Sequence, residues 1–173
     1  MPKYEICGGE NPYKKDFINV DMAESPNVHL TADITKPLPI EDNTAEEIFS
    51  CATLEHLTFQ EAVALLKEFL RIMQPGAMLT IAVPDLRNIC AAYVAGVMSF
   101  RMVNQYLYGA QSDEYDFHKI CFDFVNMKGL LEWLGFTDVV QVEYDLPMHI
   151  KQYMFKLTCN KPYENKSLET TKS

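Results

Sequence analysis

The chain has 173 residues, of which 48% are hydrophobic, so its length and composition predict one globular domain with a continuous core. Acidic residues outnumber basic residues by 24 to 15 and the formal charge is -9. Double-stranded nucleic acid is therefore excluded as an expected partner, because such a surface repels a phosphate backbone.

Neither a membrane partner nor a secreted location is expected. No apolar run approaches the roughly 20 residues that span a bilayer, and the first residues do not resemble a signal peptide. The five cysteines are scattered and form no C-x-x-C pair. This pattern favours reduced thiols and a cytoplasmic location, and it predicts no metal site.

Short apolar runs alternate with longer helical patterns, which predicts a mostly parallel sheet covered by helices. The first four strands are predicted at Tyr4–Cys7, Phe17–Asp21, Val28–Ile34 and Glu47–Ala52. The segment between the first two is polar and contains Pro12, so no regular crossover helix is predicted there.

The clearest helical pattern begins at Thr58, which forms a predicted capping box with Glu61. Its apolar stripe continues to Met73, and Pro75–Gly76 is predicted to end the helix. The run Ala77–Val83 is predicted as a strand buried on both faces, followed by Pro84 and Asp85.

The second half of the chain is predicted to contain two helical regions and two edge strands. Leu86–Tyr108 is helical in pattern, residues 113–116 interrupt it, and Lys128–Leu134 forms a helix that ends at Gly135. Val139–Tyr144 and Tyr153–Thr158 alternate with period two, which predicts an antiparallel pair. The domain is predicted to cover residues 1–162, and residues 163–173 to form a disordered tail.

Acidic residues close three successive predicted strands at the end where an open parallel sheet binds ligands. These residues are Glu5, Asp21 and Asp33. Gly8–Gly9 allows close approach of the backbone to a ligand, while the missing crossover helix removes the usual pyrophosphate site. The pattern favours a cationic nucleoside without phosphate; the less favoured alternatives are a strand-end turn at Asp21 and an Asx turn or cap at Asp33.

These segments resemble the class I S-adenosylmethionine-dependent methyltransferases, in particular a short branch related to polysaccharide-biosynthesis methyltransferases and to the type 11 group. The resemblance rests on five pieces in the family's order, namely Tyr4–Asn11, Phe17–Asp21, Ala32–Pro39, Ile48–Leu57 and Met73–Asp85. It implies an α/β fold, a Rossmann-like three-layer αβα sandwich around a mostly parallel seven-stranded sheet whose last strand is antiparallel. The chain departs from the family at Cys7 and Asn11, where glycines are usual.

The resemblance also implies S-adenosylmethionine as the cofactor and assigns its contacts. Glu5 and the Gly8–Gly9 backbone would hold the methionine end, Asp21 the ribose, and Asp33 the adenine amino group. The full predicted set of cofactor-binding residues is Glu5, Ile6, Cys7, Gly8, Gly9, Asp21, Met22, Asp33, Ile34, Cys51 and Ala52.

Methyl transfer from a sulfonium depends mainly on alignment, so a general base is optional. The candidates for such a base are Asp85, His56 and His118. As structural alternatives, Asp85 could cap a helix, His56 could pack in a loop, and His118 could lie on a helix surface. The expected acceptor is a small molecule or saccharide, and a homodimer could cover the open face. Two other functions stay open: a non-catalytic Rossmann-like cofactor-binding or interaction module, and a nucleotide-dependent oxidoreductase, which the missing phosphate helix disfavours.

Overall fold

The computed structural model describes residues 1–147 and 149–163, which form one seven-stranded sheet with flanking helices. The strands are β1 (Lys3–Ile6), β2 (Ile18–Asp21), β3 (Leu30–Thr31), β4 (Ala45–Cys51), β5 (Met73–Pro84), β6 (Thr137–Val142) and β7 (Met154–Asn160). The α-helices are α1 (Phe59–Ile72), α2 (Leu86–Val94), α3 (Phe100–Tyr108) and α4 (Phe124–Leu134). Residues 164–173, nearly all of the predicted tail, lie outside the described residues.

The sheet order is β3-β2-β1-β4-β5-β7-β6. Strands β1 to β5 run parallel, and β7 pairs antiparallel with both β5 and β6. The predicted mostly parallel sheet with an antiparallel last strand is confirmed. The order reverses between β1 and β4, so the crevice beyond the carboxyl ends of these two strands is the expected ligand site.

The two faces of the sheet are covered differently. Helices α1 and α4 pack on one face through an apolar cluster that includes Phe69 and Leu131. On the other face, Phe49 packs with Tyr13 and Phe17 from the β1–β2 connection, and α3 contributes Tyr106. The connection contains no helix, as predicted, so irregular chain covers this part of the sheet.

The capping box that begins α1 and the end of the helix just before Pro75–Gly76 are confirmed, but the strand predicted to start at Ala77 begins earlier, at Met73. Thr58 and Glu61 exchange hydrogen bonds at its start. The helix ends at Ile72, and Pro75 and Gly76 lie inside β5. They are accommodated because the β4–β5 register is irregular at this end, and Gly76, with φ of 81°, donates its N–H to the Lys161 carbonyl.

Three other boundaries differ from the predictions. Strand β3 is only two residues long, because the chain leaves the sheet and turns at Asp33. The region predicted as helical from Leu86 to Tyr108 divides into α2 and α3, because the chain turns at Gly96 and Ser99 caps a new helix. Helix α4 starts earlier than predicted, at the N-cap Asp123, and ends at the left-handed Gly135 as predicted.

None of the helices in the described part of the chain is both long enough and apolar enough to cross a bilayer.

Candidate functional site

A cavity of about 610 Å³ lies at the carboxyl ends of β1, β4 and β5, a volume suited to one small-molecule ligand. Its lining comes from the chain after these strands, from α3 and from two loops. The lining residues are Cys7, Gly8, Gly9, Glu10, Asn11, Tyr13, Cys51, Ala52, Glu55, His56, Pro84, Met102, Gln105, Tyr106, Ala110, Asp116, His118, His149 and Ile150.

The glycine turn at one end of the cavity is fixed by Asn19, a fully buried residue of β2. The Gly8 N–H donates to Asn19 Oδ1 at 3.1 Å, and Asn19 Nδ2 donates to the carbonyls of Gly9 and Asn27 at 2.8 and 2.9 Å. A Cβ on Gly8 would lie 2.5 Å from the same Oδ1, whereas a Cβ on Gly9 would meet no atom within 4 Å. The turn therefore presents open main chain at Gly9. Sequence reasoning missed Asn19, although a polar amide in a buried strand is a usable signal.

The carboxylate of Asp21 also holds the glycine turn. Its Oδ2 accepts the Gly9 N–H at 3.0 Å and its Oδ1 accepts the Ala23 N–H at 2.9 Å. Asp21 is nearly buried and does not line the cavity. Asp21 thus forms the strand-end turn that the sequence offered as the alternative to a ligand contact.

Glu5 lies on the face of β1 that the β1–β2 connection covers. Its two carboxylate oxygens accept the N–H groups of Tyr13 and Lys14 at 2.9 and 2.7 Å. Burial raises the pKa of Glu5, while these two main-chain donors lower it. The carboxylate thus anchors the irregular connection to the sheet.

Asp33 forms the predicted Asx turn. Its carboxylate accepts bonds from the N–H and hydroxyl of Thr35 and pairs with Lys36. Side-chain hydrogen bonds from Lys36 and Thr35 lower the pKa of Asp33 to about 2. Asp33 does not line the cavity.

The expectation that three carboxylates ring a shared crevice is therefore corrected. Glu5 and Asp21 turn toward main-chain N–H groups, because a connection without a helix leaves those donors unpaired and buried donors need acceptors. Asp33 lies apart, in its own turn.

Five of the predicted cofactor contacts lie together in the cavity wall: Cys7, Gly8, Gly9, Cys51 and Ala52. The remaining apolar ones do not reach it. Ile6 is buried in the core, Ile34 packs against that core, and the Met22 residue is half exposed.

Cys7 and Ala52 follow β1 and β4 and adopt left-handed backbone conformations, with φ of 58° and 51°. Side chains rarely occupy this region, and such strain concentrates at functional sites. Cys7 stands where the family usually has glycine, a residue that adopts this conformation without strain. Burial raises the pKa of the Cys7 thiol to about 12, so the thiol is neutral near pH 7.

Of the three predicted bases, the structure brings two together and separates the third. The rings of His56 and His118 meet edge to face with centroids 4.7 Å apart, and both line the cavity. Burial lowers the pKa of both. Asp85 does not line the cavity; its Oδ1 caps α2 by accepting the N–H groups of Arg87 and Asn88.

Glu55 lies beside this histidine pair and was missed. It belongs to one turn of 3-10 helix, Leu54–His56, and is 2% exposed. Burial raises its pKa to about 8. Glu55 lies within Ile48–Leu57, one of the five segments that carry the family resemblance. Its burial could not be predicted, because such a short irregular turn has no helical or strand periodicity.

Comparison with protein families finds one match: a type 11 family described as "Methyltransferase domain" matches residues 13–81. The search of curated proteins finds no match.

Solved structures share the fold over nearly the whole chain. A methyltransferase from Thermotoga maritima has a TM-score of 0.65 at 16% identity, covering 92% of this chain and 82% of its own. One from Archaeoglobus fulgidus has a TM-score of 0.63 at 16% identity, covering 92% and 86%. One from Methanosarcina mazei has a TM-score of 0.64 at 15% identity, covering 94% and 93%. All three are described as dependent on S-adenosylmethionine. The chain is therefore similar to class I S-adenosylmethionine-dependent methyltransferases in sequence over residues 13–81 and in its fold over nearly its whole length.

Proposed function

We propose that the cavity binds S-adenosylmethionine together with a small-molecule or saccharide acceptor and that the chain catalyses methyl transfer between them. The observation that carries this proposal is the cavity's position at the switch point of the sheet, with the Gly8–Gly9 turn in its wall. The cofactor would supply a methyl group that is already activated by its bond to a sulfonium.

The residues present fit such a ligand. The open main chain at Gly9 leaves room for close contact, and Ala52 presents only a methyl group from the neighbouring strand. The rings of Tyr13 and Tyr106 also line the cavity, and aromatic faces attract organic cations. We assign Cys7, Gly8, Gly9, Cys51 and Ala52 to cofactor contact. Asp21 supports this set by holding the Gly9 N–H.

The acceptor would occupy the part of the cavity formed by α3 and the loop before α4. Gln105, Tyr106 and Asp116 provide polar atoms there and Met102 provides apolar surface, to which Ile150 adds from the β6–β7 connection. A wall that combines hydrogen-bonding groups with apolar surface suits a hydroxyl-rich small molecule. This mixture supports a saccharide acceptor, in line with the resemblance to polysaccharide-biosynthesis methyltransferases.

A homodimer and a cytoplasmic location belong to the same proposal. The homodimer is supported by exposed apolar side chains at the end of α2 and the start of α3, namely Tyr93, Val94, Val97 and Phe100. The cytoplasmic location is supported by the five cysteines, which are all free thiols. Sedimentation equilibrium tests the homodimer.

Calorimetric titration with S-adenosylmethionine and S-adenosylhomocysteine tests cofactor binding. The blocking variant is Ala52→Leu, which adds volume inside the cavity. Its matched control is Asp138→Leu, because Asp138 also has a left-handed backbone, with φ of 55°, but is exposed on β6 outside the cavity. We expect the wild type and Asp138→Leu to bind both ligands and Ala52→Leu to lose binding. No binding by the wild type, or equal binding by both variants, would overturn the proposal.

Turnover is tested separately, with S-adenosylmethionine labelled in its methyl group and a panel of mono- and oligosaccharides. Transfer of the label to a sugar supports the proposed activity. Tight cofactor binding without transfer to any member of a broad acceptor panel supports the non-catalytic alternative instead.

A further inference from the structure

Three metal-ligating side chains meet in the cavity wall. Glu55, His56 and His118 each offer one ligand atom, and these atoms all lie within 4.8 Å of one another. We propose that Glu55, His56 and His118 bind a divalent cation of the zinc type. This site goes beyond the proposed methyl transfer, because neither the fold nor the cofactor requires a metal ion.

Two of the three side chains present buried polar atoms that have no partner in the described part of the chain. They are Glu55 Oε2 and His56 Nδ1. Native structures rarely leave such a buried group unpaired without a reason. A cation bound by both atoms would satisfy them at once, and it would stabilise the ionised form of a carboxyl group that is 2% exposed.

The third ligand is already oriented. His118 Nδ1 lies 2.8 Å from the carbonyl oxygen of Tyr106 and can donate its proton there. The lone pair then belongs to Nε2. A histidine that binds a metal usually donates its other ring nitrogen in this way, which fixes the tautomer and the direction of the ring.

The backbone also holds the two ligand-bearing segments together. The main-chain carbonyl of Glu55 accepts a hydrogen bond of 2.7 Å from the N–H of Lys119, the residue that follows His118. The His56 and His118 rings are in edge-to-face contact. The cluster is therefore fixed by main-chain and ring contacts, and its ligand atoms, now within 4.8 Å of one another, would have to draw closer to enclose an ion.

The ligand set decides the class of metal. Two imidazole nitrogens and one carboxylate oxygen are typical ligands of Zn²⁺, Co²⁺ and Fe²⁺, whereas Mg²⁺ and Ca²⁺ prefer oxygen ligands. Three protein ligands leave a coordination position open, as in catalytic zinc sites. That position would face the cavity, where it could receive a polar atom of the acceptor; this last step rests on the proposed function.

The test uses the metal-free chain of 173 residues without S-adenosylmethionine. Titration with Co²⁺ is followed by its visible absorption, which reports coordination by nitrogen ligands, and titration with Zn²⁺ is followed by calorimetry. We expect one ion per chain and no comparable binding of Mg²⁺. Glu55→Gln and His118→Ala should each weaken Zn²⁺ binding by more than about 100-fold, beyond the loss expected for an outer-shell partner.

His149→Ala is the matched control, because His149 lines the same cavity but does not belong to the three-residue cluster. It should leave Zn²⁺ affinity unchanged. Circular dichroism of each variant confirms that it is folded, and Glu55→Gln preserves the side-chain shape. The proposal is overturned if the folded wild type shows no Co²⁺ spectrum, or if Glu55→Gln, His118→Ala and His149→Ala bind Zn²⁺ equally. Because the titrations contain no cofactor, either result leaves the methyl-transfer proposal standing, and failed cofactor binding leaves the metal site standing.

Discussion

The main-chain N–H of Gly8 donates to Oδ1 of Asn19 at 3.1 Å, and a methyl group on Gly8 would lie 2.5 Å from that same oxygen. The glycine turn is thus shaped by a side chain from the neighbouring strand β2. The short β1–β2 connection forms no helix that could pair its own N–H groups. Side chains from strands β1 and β2 accept hydrogen bonds from these groups instead. Asn19, Asp21 and Glu5 all serve this purpose.

Asn19→Ala should destabilise the fold by about 3 kcal/mol, at roughly 1 kcal/mol for each of the three side-chain hydrogen bonds that it removes. It should also weaken S-adenosylmethionine binding, because the turn loses its anchor. Urea denaturation measures the first effect and calorimetry the second. Asn11→Ala is the control, since Asn11 is exposed, and should change stability by less than about 0.5 kcal/mol. Equal urea midpoints for the two variants would contradict this role of Asn19.

The left-handed backbone at Cys7 predicts opposite effects for two substitutions. Cys7→Gly removes a strain of about 1 to 2 kcal/mol and costs roughly 0.5 to 1 kcal/mol in chain entropy, so stability should stay equal or rise slightly. Cys7→Val should destabilise, because a β-branched side chain is a true outlier at positive φ. Thermal unfolding compares the two. A Cys7→Val protein as stable as Cys7→Gly would refute the strained conformation.

Asp85 should behave as a helix cap and not as a general base. Asp85→Ala should lower stability by about 0.5 to 2 kcal/mol, the usual cost of losing an N-cap. Asp85→Asn keeps an oxygen acceptor for the helix N–H groups and should restore most of that stability. Stability is read from urea unfolding, and turnover with S-adenosylmethionine should be near the wild-type rate in both variants once they are folded. A rate loss of about 100-fold in Asp85→Asn would instead indicate acid–base catalysis.

The Glu68–Arg71 pair predicts acid sensitivity. The Arg71 side chain lowers the pKa of Glu68 below its ordinary value of 4.5, with the Leu38 N–H contributing. A lowered folded-state pKa gives stability that is present above the ordinary pKa and is lost as pH falls through the lowered one. Glu68→Gln should therefore be less stable than wild type at pH 7, by about 1 to 3 kcal/mol, and the difference should shrink below about pH 4.5. Urea unfolding across this pH range measures it. A difference independent of pH would show that the carboxylate charge is irrelevant.

Much of the fold follows from local sequence patterns. Three local patterns predicted the correct type of element. They are the capping box at Thr58, the helix end at Gly135 and the period-two alternation of the last two strands. Pro75–Gly76 correctly predicted the nearby end of α1, but the prediction that the next strand begins only after Gly76 was wrong. Here the pairing of β5 with β4 extends the strand back through these two residues.

The location of the cavity could be predicted from the sequence, but the orientations of the side chains around it could not. The carboxyl ends of β1 and β4 do form the cavity wall, and Gly8, Gly9 and Ala52 lie in it. The orientations of Glu5 and Asp21 were not predictable, because the sequence does not show which main-chain donors lack partners. Glu55 was missed for a related reason, since its burial depends on the distant segment that contains His118.

A crystal structure of the chain with S-adenosylhomocysteine would show directly where the cofactor product binds. We expect the ligand in the 610 Å³ cavity, against the main chain of Gly8–Gly9 and beside Ala52. A ligand bound elsewhere on the molecule, or a structure grown with saturating ligand in which this cavity holds only solvent, would contradict this expectation.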